Sequence, residues 1–235
     1  MTTLHLIPVG LGQDAHERWL PQAARETTIS LRYFIAENAR TARSFLKQVG
    51  TPIALQEISI EALRPDTRAE DIRAWLKAVP VEQDVGLVSE AGCPAVADPG
   101  ALVVAQAHQM GMRVVPWVGP SSIMLGLMAS GLQGQRFAFH GYAPVKGPER
   151  DAQLRAWESV SHKQQQTQIL IETPYRNGAM FEAMLRVLRE STRLCVACAL
   201  TCDDEWIATR TVAEWKKAGM PDFEKKPSLF LFLAS

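Results

Sequence analysis

Short apolar runs alternate with stretches of helical periodicity along the chain, and this pattern predicts strands connected by helices. Val85–Ser89 is an apolar run of the length expected for a buried strand. Asp98 and Pro99 then predict a helix start, because an Asp side chain accepts hydrogen bonds from the first free amides and Pro gives up no needed donor there. Gly111 predicts the end of that helix, and Met112–Val118 is the next predicted strand. Together these elements predict a right-handed parallel βαβ unit.

The same periodicities extend this unit into an α/β chain with two predicted domains. The first domain closes near Trp117, and Gly119-Pro120 is the predicted hinge, which gives domains 1–117 and 118–235. Further strands are predicted at His5–Val9, Leu31–Ile35, Ile53–Ile58, Phe137–Tyr142, Gln168–Glu172, Arg193–Thr201, Glu205–Thr211 and Ser228–Ala234, further helices at Trp19–Arg25, Asp66–Val79, Asp151–Val160, Ala179–Arg189 and Val212–Lys217, and a charged loop at Ala143–Arg150.

Glycine-bearing turns follow several of the predicted strands. Gly10 and Gly12 allow the backbone to turn sharply after the first strand, and Gly92 lies in the loop after the buried one. Ser121 or Ser122 is predicted to cap the helix that follows the strand ending near Val118. Because open α/β sheets bind ligands at the carboxyl ends of their strands, we expect a ligand site formed by these loops.

Composition narrows the class of protein without naming a substrate. The chain has 235 residues, of which 47% are hydrophobic, which is ample for packed cores. Its apolar runs are much shorter than the roughly 20 residues of a spanning helix, and the N-terminus lacks a signal-peptide pattern, so the cytoplasm is expected. Lys plus Arg equals Asp plus Glu at 25 each, so the net charge gives no sign of a nucleic-acid partner.

Six separated motifs, in the same order along the chain, resemble the tetrapyrrole methylase family of S-adenosylmethionine-dependent methyltransferases with the class III fold. Within this family, the chain most resembles the branch whose members methylate a cytidine 2′-hydroxyl of small-subunit ribosomal RNA. The resemblance implies a two-domain α/β fold with a donor cleft between the domains, S-adenosylmethionine as the methyl donor, and a homodimer. The motifs are IPVG, AENARTARSFL, SEAGCPAVADPG, RVVPWVGPSS, ASGL and IETPYR.

The resemblance also implies which residues form the site, although it assigns no catalytic residue and no metal ligand. The candidates for binding the methyl donor are Pro8, Gly10, Ser89, Ala91, Gly92, Pro120, Ser121, Ser122, Thr173 and Pro174, and the candidates for binding the acceptor are Glu37, Arg40, Arg43, Tyr175 and Arg176.

Five positions depart from the usual pattern of the family or of its RNA-methylating branch. Leu11 stands where the family usually has Asn, and Asn38-Ala39 replaces an acid and a hydroxyl. Asn keeps a hydrogen-bonding oxygen but loses the charge, so it is not a base. Thr173 and Tyr175 replace Ser and His. The branch also commonly continues beyond the last predicted strand into a small C-terminal segment, and its lack in this sequence is expected to weaken the case for RNA.

Two further groups of residues have both a chemical and a structural interpretation. One face of a predicted helix carries Arg40, Arg43 and Lys47. This charged face is either a substrate-binding patch or an ordinary solvated surface. Cys195 and Cys198 have a C-x-x-C spacing, but an odd separation on a strand points their side chains to opposite faces, and no nearby Cys or His pair completes a zinc site. We therefore expect buried free thiols.

The chain has no Ser-His-Asp order, phosphate-binding Lys-Ser/Thr loop or His-Glu metal helix. Methyl transfer is compatible with this lack, because the sulfonium is already activated and the protein chiefly aligns the reacting groups. The sequence thus predicts an S-adenosylmethionine-dependent methyltransferase acting on ribosomal RNA. A methylase for a tetrapyrrole or another small molecule, and a non-catalytic protein that binds S-adenosylmethionine, are the alternatives.

Overall fold

The computed structural model describes residues 2–12, 15–223 and 225–235. The chain divides into two compact units, Met1–Ser121 and Ser122–Ser235. The division lies just after Gly119-Pro120, the pair predicted as a hinge. No helix among the residues described is long and apolar enough to span a membrane.

The first unit is built on a five-stranded sheet of order β3-β2-β4-β1-β5. Every neighbouring pair in it is parallel. All five strands therefore point their carboxyl ends to one edge, as the predicted βαβ pattern requires. The strands are β1 Thr3–Leu6, β2 Tyr33–Ala36, β3 Ser59–Ala62, β4 Val85–Val88 and β5 Arg113–Pro116.

Helices cover both faces of this sheet. Phe34 and Ile35 are neighbours on β2, and their side chains enter different cores because successive strand residues face opposite sides. The Phe34 core includes residues of the first two helices, and the Ile35 core includes residues of the next two. The helices are α1 Gln22–Ser30, α2 Ala39–Gln48, α3 Ala69–Ala78 and α4 Gly100–Gln109.

Two strand predictions in this unit need correction. The strand predicted at Ile53–Ile58 is wrong, since that stretch contains a 3-10 turn at Leu55–Glu57 and the strand is Ser59–Ala62. The apolar positions of the real strand alternate with polar ones, which is typical of a half-exposed edge. The first strand ends at Leu6, two residues before Pro8, which has no amide to donate to a ladder.

The second unit has a mixed five-stranded sheet of order β6-β7-β10-β8-β9. The β6–β7 pair is parallel and the other pairs are antiparallel. The carboxyl ends of β6, β7 and β8 therefore share one edge with the amino end of β10. The strands are β6 Phe137–Tyr142, β7 Thr167–Glu172, β8 Arg193–Cys198, β9 Trp206–Thr211 and β10 Ser228–Leu233.

The helices of this unit also lie on both faces of their sheet. One face carries a core of aromatic and aliphatic side chains, among them Phe181, Trp215 and Phe230. The other face is approached closely by Gly126, where an added Cβ would lie 2.3 Å from Leu229 Cδ2. The helices are α5 Ser122–Ser130, α6 Gly147–Gln164, α7 Asn177–Val187 and α8 Val212–Ala218.

The predicted loop at Ala143–Arg150 is only partly a loop. Helix α6 begins at Gly147, so Arg150 lies on a helix. Pro148 and Glu149 in the first turn suit a helix start, because Pro has no amide to leave unpaired and the carboxylate is attracted to the positive end of the helix dipole. The helix therefore begins earlier than the charge-rich composition predicted.

Candidate functional site

Three loops leave the carboxyl ends of β1, β4 and β5, which are adjacent strands in the order β4-β1-β5. The β1 and β4 loops are joined directly. The Val9 amide donates to the Gly92 carbonyl at 3.0 Å, and the Gly92 amide donates to the Val9 carbonyl at 3.1 Å. This short antiparallel bridge fixes two of the predicted donor-binding segments against each other.

The β5 loop packs against the β1 loop through a glycine without room for a side chain. A Cβ added to Gly119 would lie 2.2 Å from both Cβ and Cγ of Pro8. The thiol of Cys93, in the β4 loop, also lies 3.4 Å from the Pro120 carbonyl oxygen. Burial raises the pKa of that thiol, which favours a neutral packing group over a reactive thiolate.

Gly92 lies where these loops meet and requires glycine for its backbone. Its φ is +74°, and an added Cβ would lie 3.3 Å from Leu11 Cδ2 and 3.4 Å from the Pro120 carbonyl oxygen. A larger residue would be strained by the backbone angle and would crowd two neighbouring loops. Ser89, at the start of the same loop, is buried, and its hydroxyl donates to the Ala91 carbonyl at 3.2 Å.

Asp98 holds the far end of the β4 loop. One of its carboxylate oxygens accepts from the amides of Ala95 at 2.9 Å and Gly100 at 2.7 Å. This confirms its predicted role at the start of α4. Ala95 and Ala97 both have positive φ, so the loop between them is strained and depends on such contacts. Burial raises the pKa of Asp98, and the two amide hydrogen bonds partly offset the rise.

The corner after β2 is hydrogen-bonded to the same loop. The Glu90 amide donates to Glu37 Oε2 at 2.8 Å, and the Thr41 hydroxyl donates to the Glu90 carboxylate. Burial raises the pKa of Glu37, the Glu90 amide opposes this, and the nearby carboxylates of Asp98 and Glu90 raise it further. A residue predicted to bind the acceptor therefore contacts the loop predicted to bind the donor.

Asn38 has a structural role at this corner. Its side-chain oxygen accepts from the Arg40 amide at 2.9 Å and caps α2. An Asp at this position could make the same hydrogen bond, so the departure from the family pattern keeps the helix cap and changes only the charge. Arg40, Arg43 and Lys47 are exposed on α2, which leaves both interpretations of this charged face open.

Trp19 lies beside the β1 loop, and the nitrogen of its ring is buried. A Cβ added to Gly10 would lie 3.2 Å from the Cε2 atom of the Trp19 ring, the atom bonded to Nε1. Within the described ranges, Nε1 is buried and has no hydrogen-bond acceptor. A buried donor in this state costs free energy unless a ligand or water satisfies it.

The remaining candidates lie in the second unit. Ser122 is the first residue of α5. Thr173 and Pro174 directly follow β7, and the Thr173 amide donates to Glu172 Oε1 at 2.7 Å. The Arg176 guanidinium lies 2.9 Å from the other oxygen of this buried carboxylate, at an angle unsuited to a hydrogen bond, so the contact is an ion pair. A donor cleft shared by the two units stays a prediction.

Comparison with known proteins gives the family. No family model matches the chain. A protein from Escherichia coli O157:H7 named ribosomal RNA small subunit methyltransferase I is 30% identical over 211 residues, which cover 90% of this chain and 70% of that protein. The chain belongs to the ribosomal RNA small subunit methyltransferase I family. A relative of the same name from Neisseria meningitidis serogroup A is 33% identical over 78% of this chain, and the match spans 60% of the relative's length.

Two solved structures confirm the fold predicted for the family. The methyltransferase CobJ has a TM-score of 0.63 at 12% identity, with 100% of this chain and 94% of that one covered. Uroporphyrin-III-C-methyltransferase from Thermus thermophilus has a TM-score of 0.55 at 18% identity, with 99% and 92% covered. The chain thus has the two-domain α/β fold of the class III tetrapyrrole methylases.

Several residues in contact with the candidate loops were not selected from the sequence. Gly119 lies inside a quoted motif, but only the structure shows its contact with Pro8. Thr41 also lies inside a quoted motif, but only the structure shows its bond to Glu90, and Trp19 gave no sequence signal, because a single Trp on a helical stretch is more often part of a core. Their roles depend on contacts with loops that are distant in sequence.

The cysteines form no metal site in the described parts of the chain. Cys195 and Cys198 are buried on β8, and all four cysteines are free thiols. No group of three or more possible ligands lies close together among the residues described. Burial raises the pKa of both strand thiols, so both are held in the protonated form.

Proposed function

We propose that the protein is an S-adenosylmethionine-dependent methyltransferase that methylates small-subunit ribosomal RNA at a ribose 2′-hydroxyl. The main supporting observation is the set of three glycine-bearing loops held together at one edge of the parallel sheet. The family relatives carry a ribosomal RNA methyltransferase name. The match spans only 60% of the Neisseria relative, so activity, acceptor and partners are proposed rather than transferred.

The residues of the first unit fit a ligand with many hydrogen-bonding groups. Trp19 Nε1 is a buried donor beside the Gly10 turn, and S-adenosylmethionine carries carboxylate, hydroxyl and ring-nitrogen acceptors. Gly92 and Pro120 lie in the adjacent loops, and the lack of a side chain at Gly92 allows a ligand to approach the backbone closely. When bound, S-adenosylmethionine supplies a methyl group already activated on a positively charged sulfur. The protein therefore has to bind and orient the reactants and exclude water.

The acceptor side is proposed at the corner after β2. Arg40 and Arg43 are exposed there, and cationic side chains supply most of the affinity for nucleic-acid phosphates. Glu37 links this corner to the β4 loop through the Glu90 amide. Acceptor binding at α2 would thus act on the segment that holds the donor.

The second unit is proposed to complete the site. Ser122, Thr173 and Pro174 contribute to the donor cleft, and Tyr175 contacts the acceptor. The ion pair of Arg176 with buried Glu172 makes Arg176 a residue that positions this segment. We also propose a homodimer, as the family resemblance implies, acting in the cytoplasm where ribosomal subunits are assembled.

The test supplies tritiated S-adenosylmethionine together with small ribosomal subunits, free ribosomal RNA or a small-molecule extract. We expect label in RNA, located at a ribose after digestion and mass spectrometry. Label confined to small molecules would favour a small-molecule methylase, as the name of the uroporphyrin-III-C-methyltransferase neighbour indicates for that protein. Tight donor binding without label in any fraction would favour a non-catalytic protein.

A further inference from the structure

The second unit contains a cavity that adjoins the proposed donor site at Pro174 and is otherwise lined by residues outside that site. Its volume is about 370 Å³, and it lies between the segment Pro174–Gly178 and the loop that follows α8. This volume is at the small end of ligand pockets, which measure roughly 300 to 1,000 Å³. A ligand of about one nucleotide fits better than a tetrapyrrole macrocycle.

The walls of the cavity are aromatic and apolar. Tyr175 lines it and is 87% exposed, which is unusual for so large a ring. Phe223 also lines it but is only 3% exposed and packs edge-on against Phe181 and Phe230. Met220 adds a polarizable side chain. An exposed aromatic ring above a rigid apolar surface suits a flat aromatic ligand.

Buried polar contacts fix the two walls to each other. Asn177 is 1% exposed, and its amide nitrogen donates to the carbonyls of Lys226 at 2.8 Å and Phe223 at 3.3 Å. These bonds connect the start of α7 to the loop on the opposite wall. The ion pair of Arg176 with buried Glu172 holds the segment that carries Tyr175. The cavity is thus built from both sides rather than being a gap between mobile loops.

The cavity has a cation at its rim. Lys225 is exposed and lines the cavity, and no carboxylate in the described part of the chain forms an ion pair with it. Lys226 beside it is occupied, with its ammonium 3.0 Å from Asp204 and 3.7 Å from Asp222. Asp222 also lines the cavity, but Lys226 offsets its charge. Lys225 is therefore the group suited to an anion such as phosphate.

The cavity also lies next to a predicted part of the methyl-donor site. Pro174 lines it, and Pro174 and Thr173 follow β7 at its carboxyl end. The amino end of β10 lies beside this point, since Ser228 pairs with Glu172. The loop from α8 into β10 therefore reaches the edge of the sheet where the β7 candidates lie.

We propose that this cavity binds one nucleotide of a single-stranded RNA, with the base stacked on Tyr175 and the phosphate at Lys225. Base-on-aromatic stacking is the common way in which proteins hold unpaired RNA. The inference rests on the proposed function, because it names where the RNA acceptor is held. It adds a site in the second unit to the charged helix of the first.

The test measures binding of a labelled oligoribonucleotide and of a matched strand without bases, by fluorescence anisotropy. The wild-type protein is expected to prefer the strand with bases. Tyr175→Ala should weaken binding of that strand roughly tenfold and remove the preference, whereas Tyr175→Phe should keep it, because stacking needs the ring and not the hydroxyl. Lys225→Ala should weaken binding of both strands and lower the salt dependence of the affinity. Lys217→Ala, at an exposed position, is the control.

A cavity-filling variant gives an independent check. A Cβ at Gly178 would lie 3.6 Å from Met220 Sδ, an ordinary contact, so Gly178→Leu is expected to fold while its longer side chain occupies the cavity. Gly178→Leu should weaken binding of the strand with bases as strongly as Tyr175→Ala does. The proposal is overturned if Tyr175→Ala and Gly178→Leu both bind this strand as the wild type does.

Donor binding, measured in parallel with S-adenosylhomocysteine, separates the two proposals. It should be unchanged in the Tyr175 and Lys225 variants. A wild-type protein that methylates RNA without any dependence on Tyr175 would overturn this inference and leave the function intact. Tyr175-dependent RNA binding by a protein that binds no donor would support this inference and overturn the proposed function.

Discussion

The two units use sheets of similar size in different ways. In the first, every strand is parallel, so each loop from a strand into a helix lies at the same edge, where three glycine loops contact one another. In the second, antiparallel strands divide the connections between two edges. A parallel sheet brings every loop from a strand into a helix to one edge, whereas a mixed sheet brings only part of its connections there.

The close contacts of the two units also differ. Gly119 meets a proline ring in a loop, and Gly126 meets the end of a leucine side chain in a helix-to-sheet interface. A ring joined to the backbone cannot move aside without moving the loop. A leucine methyl group can change rotamer. The first unit should therefore tolerate added atoms less well than the second.

The largest expected effect is that of Gly119→Ala. The added Cβ would lie 2.2 Å from two Pro8 atoms, so the β1 and β5 loops must separate, and the free energy of unfolding should fall by about 3 kcal/mol. Gly126→Ala is the matched variant and should cost about 1 kcal/mol or less, because a more favourable helix propensity offsets part of the crowding. Urea unfolding measures both, and equal costs would refute the contrast between the units.

The second effect concerns donor binding at Gly92. Gly92→Val combines a positive φ with contacts at 3.3 and 3.4 Å, so we expect the affinity for S-adenosylhomocysteine to fall by about a hundredfold. Calorimetric titration measures it, with circular dichroism as a check on folding. Lys217→Ala, on the exposed surface of α8, should bind normally. Normal binding by Gly92→Val would make the β4 loop structural only.

A smaller effect is expected for the charged face of α2. Arg40→Glu combined with Arg43→Glu should weaken RNA binding roughly tenfold at low salt and reduce the slope of affinity against salt, because phosphate contacts release counterions. Donor affinity should not change. The combination of Lys163→Glu and Lys217→Glu, at exposed positions on α6 and α8, is a charge-matched control. If the α2 variant binds RNA as the wild type does, this charged face is a solvated surface and not an RNA-binding patch.

The smallest effect is expected at the α2 cap. Asn38→Ala removes the acceptor for the Arg40 amide and should lower the free energy of unfolding by about 1 kcal/mol. Asn38→Asp keeps that acceptor and should be nearly neutral in stability. If the Asp variant raises methylation while stability is unchanged, the charge lost at this corner matters for the acceptor. A fully stable Asn38→Ala would show that the cap contributes little.

The fold could be predicted from the sequence because its elements have strong local signals. The buried strand near Leu87 is uniformly apolar, and Asp98 and Gly111 mark the start and end of the next helix. The third strand was missed because Ser59–Ala62 is a strand through its pairing with β2, which no local apolar run indicates. Helix α7 begins at Asn177, two residues before the predicted start, and the Asn177 side-chain amide donates to the Lys226 carbonyl.

Candidate site residues could be selected from the sequence only where they lie in motifs. Gly92 and Pro120 are parts of glycine-bearing loops at strand ends, so strand order was enough to bring them together. Trp19 and Thr41 act through contacts across loops, and no spacing rule encodes these. The pairing of Arg176 with Glu172 was missed for a similar reason, because a buried carboxylate is evident only once its strand is placed.

The most direct test of the account is titration calorimetry of S-adenosylmethionine and S-adenosylhomocysteine into ligand-free protein. The account predicts about one site per chain and a loss of affinity in Gly92→Val. It also predicts a change in the indole NMR signal of Trp19, because its buried Nε1 lies beside the Gly10 turn. No heat and no thermal shift at millimolar ligand would contradict the central claim that these loops bind the methyl donor.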